Sequence, residues 1–199
     1  MLTWVHTVAP LLAQAGRRHA QPLGRRWWCD ETDTTIRGRQ AYRYRAIVAD
    51  GQVVDVLLRA HRDLASARAC FARAIGRRGV TPEAVITDGH QAYRRAITEH
   101  APEAVQSVTG LHRAPGTPTT QPIERSHVPV KDRLRPMRGV HSVATGQRLA
   151  EGITLARAAR RGDVRAGGEG PPPGEGPHRR ARRVVATFAW LARELRAAS

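Results

Sequence analysis

The stretch from residue 27 to residue 58 constrains the fold of this chain more than any other part of the sequence. It contains three runs rich in aromatic and β-branched residues, namely Trp27–Ile36, Tyr42–Ala49 and Val53–Leu58. Residues of these types favour β-strands. The Asp50-Gly51 pair between the last two runs is a strong signal for a two-residue hairpin. The sequence therefore predicts an antiparallel meander of three strands.

Helices and strands alternate after the meander. Apolar residues recur at helical spacing on one face of the next segment, and Gly76 and Gly79 bound its end. The predicted elements that follow the meander are a helix over 62–77, a strand over 84–88, a helix over 91–99, a strand over 105–109, a helix over about 122–134 and a helix over 142–160. The order β-β-β-α-β-α-β-α-α predicts an α/β fold of the ribonuclease-H-like type, in which helices flank a mixed sheet.

The two ends of the chain differ in composition from the middle. Residues 1–26 predict a short helix followed by a basic linker, which we expect to be the end of a longer element. Glycine, proline and arginine dominate residues 161–183, and such a composition is typical of a flexible linker. Residues 184–199 then predict a terminal amphipathic helix. A central domain over 27–160 is the expected catalytic part.

The strong positive charge of the chain favours a polyanionic partner. The formal net charge is +16, and Lys131 is the one lysine among 33 basic residues. Nucleic acid is the simplest such partner, whereas the absence of a long apolar segment argues against a membrane surface. Cys29 and Cys70 are far apart in the sequence and have no metal-like spacing, so we expect neither a disulfide nor a zinc site and place the protein in a reducing cytoplasm.

Three acidic residues occur in an order that suits phosphate chemistry. Asp30 and Asp88 lie on strands that could be neighbours in the sheet, and Glu124 lies in the first turn of a predicted helix. Carboxylates brought together in this way can hold two divalent metal ions, which stabilise the charge on the attacking and leaving oxygens. Each acid alone has a simpler explanation, such as a turn or a helix cap. The ordered set favours a metal site.

Several segments together resemble a known family. The matching segments are Trp28–Thr32, Tyr42–Ala46, Asp55–Leu58, Arg62-Asp63, Val85–Asp88, Ile123-Glu124 and Leu134–Gly139, and the segment Arg182–Phe188 also resembles relatives of this type. On these segments the chain resembles the insertion-sequence transposases of the IS6/IS26 type. These are DDE enzymes with a retroviral-integrase-like catalytic core.

The resemblance implies a set of functional residues and partners. Asp30, Asp88 and Glu124 would be the catalytic, metal-binding triad, with 35 residues between the last two. The metal would be Mg²⁺, as two ions, with Mn²⁺ able to replace it. Lys131 follows Glu124 by nearly two helical turns and would contact DNA phosphate from the same helix face. Further expected phosphate contacts are Arg133, Arg135 and Arg138.

The same resemblance implies how such a protein works. The expected activity is metal-dependent cleavage and strand transfer at insertion-sequence ends, on double-stranded DNA that includes terminal inverted repeats and target DNA. A homo-oligomer of two or more copies is expected, associated with the bacterial nucleoid. Residues 1–26 resemble a remnant of the helix-turn-helix region of the family, so we expect an N-terminal truncation.

Two alternatives remain open on the sequence. Pro129 interrupts the predicted helix that begins near Glu124, and the resemblance implies that most of the helix-turn-helix region is missing; both expectations favour a remnant that binds DNA without catalysis. The other alternative is a ribonuclease-H-like nuclease that hydrolyses DNA without strand transfer. His90 has two interpretations, as a residue that approaches the scissile phosphate or as a polar residue that flanks a turn.

Overall fold

The computed structural model describes residues 2–109, 140–165 and 177–198. The chain divides into two compact units. The sheet unit comprises Leu23–Gln147, and the helical unit comprises Met1–Pro22 together with Arg148–Ser199. The predicted loop over 110–120 and the predicted helix over 122–134 lie outside the described residues.

A five-stranded mixed sheet with the order β3-β2-β1-β4-β5 forms the frame of the sheet unit. Its strands are β1 (Arg26–Ile36), β2 (Arg39–Val48), β3 (Val53–Arg59), β4 (Ala84–Thr87) and β5 (Val105–Val108). The first three strands pair antiparallel, whereas β4 runs parallel to β1 and β5 runs parallel to β4. The predicted meander and the predicted mixed sheet are both confirmed.

Two helices pack on one face of the sheet, α2 (Leu64–Arg78) and α3 (Gln91–His100). Side chains alternate between the faces of a strand, so Trp27 of β1 and Tyr44 of β2 point toward these helices and are buried with Phe71 and Tyr93. The ring of Tyr93 lies edge-on to those of Phe71 and Tyr44, with 6.2 Å between the centroids in both pairs. This aromatic core fixes α2 and α3 against the sheet.

The helix α2 begins two residues later than the predicted start at Arg62. Asp63 is extended in its backbone and accepts a hydrogen bond from the backbone N–H of Ser66 at 2.7 Å, so it is the N-cap. An aspartate cap satisfies one of the N–H groups that the first helical turn leaves unpaired. Arg62 therefore lies in the connection between β3 and α2, ahead of the helix.

A side chain satisfies part of the outer edge of β3. The helix α4 (Val143–Arg161) begins in the sheet unit, close to the predicted start at residue 142. From its first turns, Gln147 accepts a hydrogen bond from the backbone N–H of Leu58 at 2.7 Å and donates one to the carbonyl of Val56 at 2.9 Å. Its amide thus occupies the place that a neighbouring strand takes in a β-ladder.

The helical unit combines α1 (Leu2–Arg18), the later part of α4 and α5 (Pro177–Ala197). Its core contains Leu12, Leu155 and Leu191, which are all buried. The ring of His19 lies edge-on to that of Trp190, with 4.5 Å between the centroids. A single β-bridge joins Ala20 and Val164.

The structure corrects the predicted start of the terminal helix and shows where α1 ends. The terminal helix α5 begins at Pro177, seven residues before the predicted start at Val184, so the basic cluster over 178–183 is helical rather than part of a linker. Proline suits the first turn of a helix, and arginine and alanine are good helix formers. Similarly, α1 includes Arg17 and Arg18, where cations favour the C-terminal end of the helix dipole. Within the described ranges, the helices are too short or too polar to cross a lipid bilayer.

Candidate active site

The sheet register brings Asp30 and Asp88 to the same place. Trp28 of β1 stands beside Ile86 of the parallel strand β4, and both side chains pack in one small cluster on the sheet face opposite α2 and α3. Asp30 and Asp88 each follow these residues by two positions, which returns a side chain to the same face. Asp30 within β1 and Asp88 directly after β4 therefore meet on one face of the sheet, and the strands that carry them are neighbours, as the sequence predicted.

A third carboxylate joins the two aspartates. One carboxylate oxygen from each of Asp30, Glu31 and Asp88 lies within 4.8 Å of the others. The side chain of Asp88 is 40% exposed, whereas that of Glu31 is only 3% exposed. The group therefore has a solvent-facing side at Asp88 and a buried side at Glu31.

A tight turn fixes the backbone and one oxygen of Asp88. Its Oδ1 accepts a hydrogen bond from the backbone N–H of His90 at 3.0 Å. His90 is the N-cap of α3, and its Nδ1 faces the backbone N–H of Ala92 at 3.4 Å. This arrangement supports the interpretation of His90 as a residue that flanks the turn. The second oxygen of Asp88 remains available to other groups.

Arg62 links two of the three carboxylates. Its Nε and Nη2 both contact Oε1 of Glu31, and Nη2 lies 3.5 Å from Oδ2 of Asp88. Burial alone would lower the pKa of Arg62, but the carboxylate of Glu31 and its hydrogen bond outweigh this effect, so the pKa lies above its ordinary value. On the neighbouring strand, Arg45 is buried and stands directly opposite Asp30 in the register. Arg62 thus contacts the acidic group directly, and Arg45 lies on the strand beside Asp30.

The buried side of the group is lined by tyrosines. Burial, followed by the charge of Glu31, raises the pKa of Tyr44 to about 12. The same two causes, in the same order, raise the pKa of Tyr93 above its ordinary value. Both tyrosines are therefore neutral at physiological pH, and the charge beside Arg62 on this side is that of Glu31.

The donor set fits a divalent metal ion. Carboxylate oxygens are the ligands that Mg²⁺ prefers, and Mg²⁺ is commonly held by one or two of them together with water and substrate phosphate. Asp30 on β1 and Asp88 directly after β4 supply two such ligands on one face of the sheet. Three neighbouring carboxylates also repel each other, and a bound cation relieves that repulsion.

The described residues include only part of the predicted site. Asp30 and Asp88 lie together, whereas Glu124 and the predicted DNA contacts Lys131, Arg133, Arg135 and Arg138 lie outside the described residues. Sequence reasoning assigned no role to Glu31 or Arg62. The signals were present, since Glu31 directly follows Asp30 and Arg62 directly precedes a helix cap, but neither position by itself indicates contact with the other.

Comparisons with known proteins agree with this geometry. Residues 24–163 match a family described as the DDE domain. A viral intasome structure, that of simian T-cell lymphotropic virus in complex with the PP2A regulatory subunit B56 gamma, is similar with a TM-score of 0.52 and 12% sequence identity. The similarity covers 80% of this chain and 62% of that chain. Together with the sheet order, it confirms the predicted ribonuclease-H-like, integrase-like fold.

Curated relatives come from insertion sequences of Staphylococcus aureus. The transposase for the insertion sequence-like element IS431mec, from strain Mu50, is 41% identical over 85 residues, which are 43% of this chain and 38% of the relative. The transposase for the insertion sequence element IS257 in transposon Tn4003 is similar to the same extent. The match thus spans 38% of the length of these curated relatives. The DDE domain covers most of the present chain, and this chain belongs to the DDE transposases of the IS6 type.

Proposed function

We propose that this chain catalyses DNA cleavage and strand transfer at the ends of an insertion sequence. The observation that carries the proposal is the close approach of Asp30 on β1 and Asp88 directly after β4 within a DDE domain. We propose Glu124 as the third catalytic carboxylate, on the order of the three acids in the sequence. These three residues would then be both the catalytic and the metal-binding residues.

The proposed cofactor is Mg²⁺, as two ions, with Mn²⁺ able to replace it. When bound, two such ions stabilise the charge on the attacking and leaving oxygens of a phosphodiester. Asp30 and Asp88 would hold them from the sheet, and Glu124 would complete the set. The turn at His90 fixes the direction of the Asp88 carboxylate, so its Oδ2, which faces Arg62, is already oriented before substrate binds.

The proposed substrate is double-stranded DNA, as terminal inverted repeats and as target DNA. The net charge of +16 supports a polyanionic partner. We propose that Lys131, Arg133, Arg135 and Arg138 contact DNA phosphates near the catalytic carboxylates. We further propose a homo-oligomer of two or more copies, which acts on the nucleoid in the bacterial cytoplasm. Because phosphate contacts release counterions, DNA binding should weaken steeply as salt rises.

A joining assay tests the proposal. The full chain is incubated with labelled oligonucleotides that carry the terminal inverted repeats of its own element, a plasmid target, and Mg²⁺ or Mn²⁺. We expect branched, joined products with the wild-type chain and none with Asp30→Asn, Asp88→Asn or Glu124→Gln. The matched control is Glu83→Gln, because Glu83 lies at the opposite end of β4 from Asp88 and pairs with Arg25 on the surface.

The outcomes separate the alternatives. Joining that survives Glu124→Gln refutes the proposed triad. Shortened strands without branched products indicate a nuclease, and salt-sensitive DNA binding with no metal-dependent product indicates a DNA-binding remnant. Loss of joining in Glu83→Gln as well would show that the losses reflect damage to the sheet rather than to the site.

A further inference from the structure

We propose that Arg62 is a counter-cation of the acidic group formed by Asp30, Glu31 and Asp88. Arg62 stays paired with Glu31 in every state and loses its contact with Asp88 when a divalent metal ion binds. This inference rests on the proposed function, because it assumes that Asp30 and Asp88 hold the metal. It assigns Arg62 a positioning role: the residue acts through the two carboxylates that it touches. The consequence is that the metal-free site is held together by an arginine instead of a metal.

The contacts of Arg62 are unequal. Two of its nitrogens, Nε and Nη2, contact the same oxygen of Glu31, whereas a single nitrogen reaches Oδ2 of Asp88 at 3.5 Å. Charge-assisted hydrogen bonds are strongest when they are short and double, and they weaken sharply near this distance. Arg62 is therefore bound firmly to Glu31 and loosely to Asp88.

Arg62 is the cation that pairs with the buried carboxylate of Glu31. Its side chain is 3% exposed, and no described residue hydrogen-bonds to its Oε2. Tyr44 and Tyr93, the tyrosines beside it, are neutral. A buried carboxylate that loses its partner is strongly destabilising, so the contact between Arg62 and Glu31 has to persist in every state of the folded protein.

The segment that carries Arg62 is fixed on both sides. The hydroxyl of Tyr44 donates a hydrogen bond to the carbonyl of His61 at 3.5 Å. Asp63 caps α2 through the backbone N–H of Ser66, and the pKa of Asp63 is lowered chiefly by its hydrogen bonds with Ser66. The connection between β3 and α2 is thus held at His61 and at Asp63, which fixes the position of the Arg62 guanidinium beside the acidic group.

The two carboxylate oxygens of Asp88 have different partners, and the contact of one of them can be exchanged. Its Oδ1 is held by the turn at His90, and its Oδ2 faces Arg62 on the exposed side of the group. Without metal, Arg62 offsets part of the repulsion among three carboxylates. A divalent ion brings two positive charges to the same oxygens, so Arg62 becomes a repelled neighbour of Asp88 while it remains paired with Glu31.

Mn²⁺ binding to the full chain tests the inference without an activity measurement. Free Mn²⁺ is quantified by its electron paramagnetic resonance signal during titration of the wild-type chain, of Arg62→Gln and of the control Arg68→Gln. Both variants remove one positive charge, but Arg68 pairs with Glu99 on an exposed surface between α2 and α3. We expect Arg62→Gln to bind Mn²⁺ about ten-fold more tightly, because one unit charge a few ångströms from the ion is removed.

The metal-free melting temperature gives a second readout. We expect it to fall by about 5 °C in Arg62→Gln, because Glu31 loses its partner, and to change little in Arg68→Gln. Mn²⁺ affinity that is unchanged or weaker in Arg62→Gln overturns the inference while leaving the metal site intact. A wild-type chain that binds no Mn²⁺ overturns both the inference and the proposed function.

A crystal structure of the wild-type chain with and without Mn²⁺ tests the inference even where Arg62→Gln does not fold. We expect Arg62 to stay on Glu31 in both states and to separate from Oδ2 of Asp88 in the Mn²⁺-bound state. An Arg62 that still contacts Asp88 beside bound Mn²⁺, or that leaves Glu31, overturns the inference.

Discussion

Gly89, the residue directly after Asp88, allows a stringent test of how the site is held in place. Its φ of +86° lies in the left-handed region, and a Cβ added there would stand 2.5 Å from Cγ1 of Val108 on β5. Gly79, the C-cap of α2, provides a matched control. Its φ of +63° is also left-handed, but no atom lies within 4 Å of an added Cβ.

The two substitutions separate backbone strain from steric overlap. Gly79→Ala introduces only the strain of a left-handed alanine, which costs about 1 kcal/mol. Gly89→Ala adds the displacement of a β5 side chain, for which overpacking costs about 2 kcal/mol more. We therefore expect a total destabilisation of about 3 kcal/mol at Gly89, with the turn that orients Asp88 as the part that shifts.

Urea unfolding followed by circular dichroism measures the free energy of unfolding of both variants. The double variant Gly89→Ala/Val108→Ala should be less destabilised than the sum of its single substitutions, because Val108→Ala removes the atom in the way. If Gly89→Ala costs no more than Gly79→Ala, the close approach to Val108 does not exist in solution and the reasoning is refuted.

Two further predictions concern buried polar groups. Asp55 is 7% exposed and pairs with Arg73 through Nε at 2.9 Å and with Arg77 at 3.5 Å, so we expect Asp55→Asn to lower the free energy of unfolding by about 3 kcal/mol. A value near zero by urea unfolding would contradict the assignment of this ion pair to the core. Burial raises the pKa of both Cys29 and Cys70, so each thiol has a higher pKa in the folded chain than in the unfolded chain. The free energy of unfolding therefore falls as pH rises above about 8.5, by up to about 1.4 kcal/mol per pH unit for each thiol. Measurements between about pH 8.5 and 10, below the tyrosine range, should show this slope in the wild-type chain and its loss in Cys29→Ala/Cys70→Ala.

The position of the two aspartates was predictable because it depends on strand order and period alone. Asp30 follows Trp28 by two residues and Asp88 follows Ile86 by two residues, and such positions of adjacent parallel strands lie on the same face of the sheet. The meander could also be predicted from the sequence, because the Asp50-Gly51 pair is a distinct turn signal. These features arise from local residue types, which a single sequence displays directly.

The role of Glu31 could not be predicted in the same way. Its strand position points it toward the aromatic core, where a carboxylate is not expected. Among the described residues, the guanidinium of Arg62, 31 residues away in the sequence, pairs with this buried carboxylate, and no period or spacing reveals such a pairing. The start of α5 at Pro177 was missed for another reason, because an arginine cluster beside a glycine- and proline-rich stretch resembles linker composition although arginine itself favours helices.

The amide of Gln147 has a consequence for how copies of this protein can associate. Exposed strand edges invite pairing with another chain, which leads to aggregation or to unplanned assemblies. At the outer edge of β3, the N–H of Leu58 and the carbonyl of Val56 already bond to this side chain. An incoming strand would have to displace it from both groups at once. Gln147 therefore blocks the pairing of another strand with the outer edge of β3, and in Gln147→Ala we expect this edge to become open to such pairing.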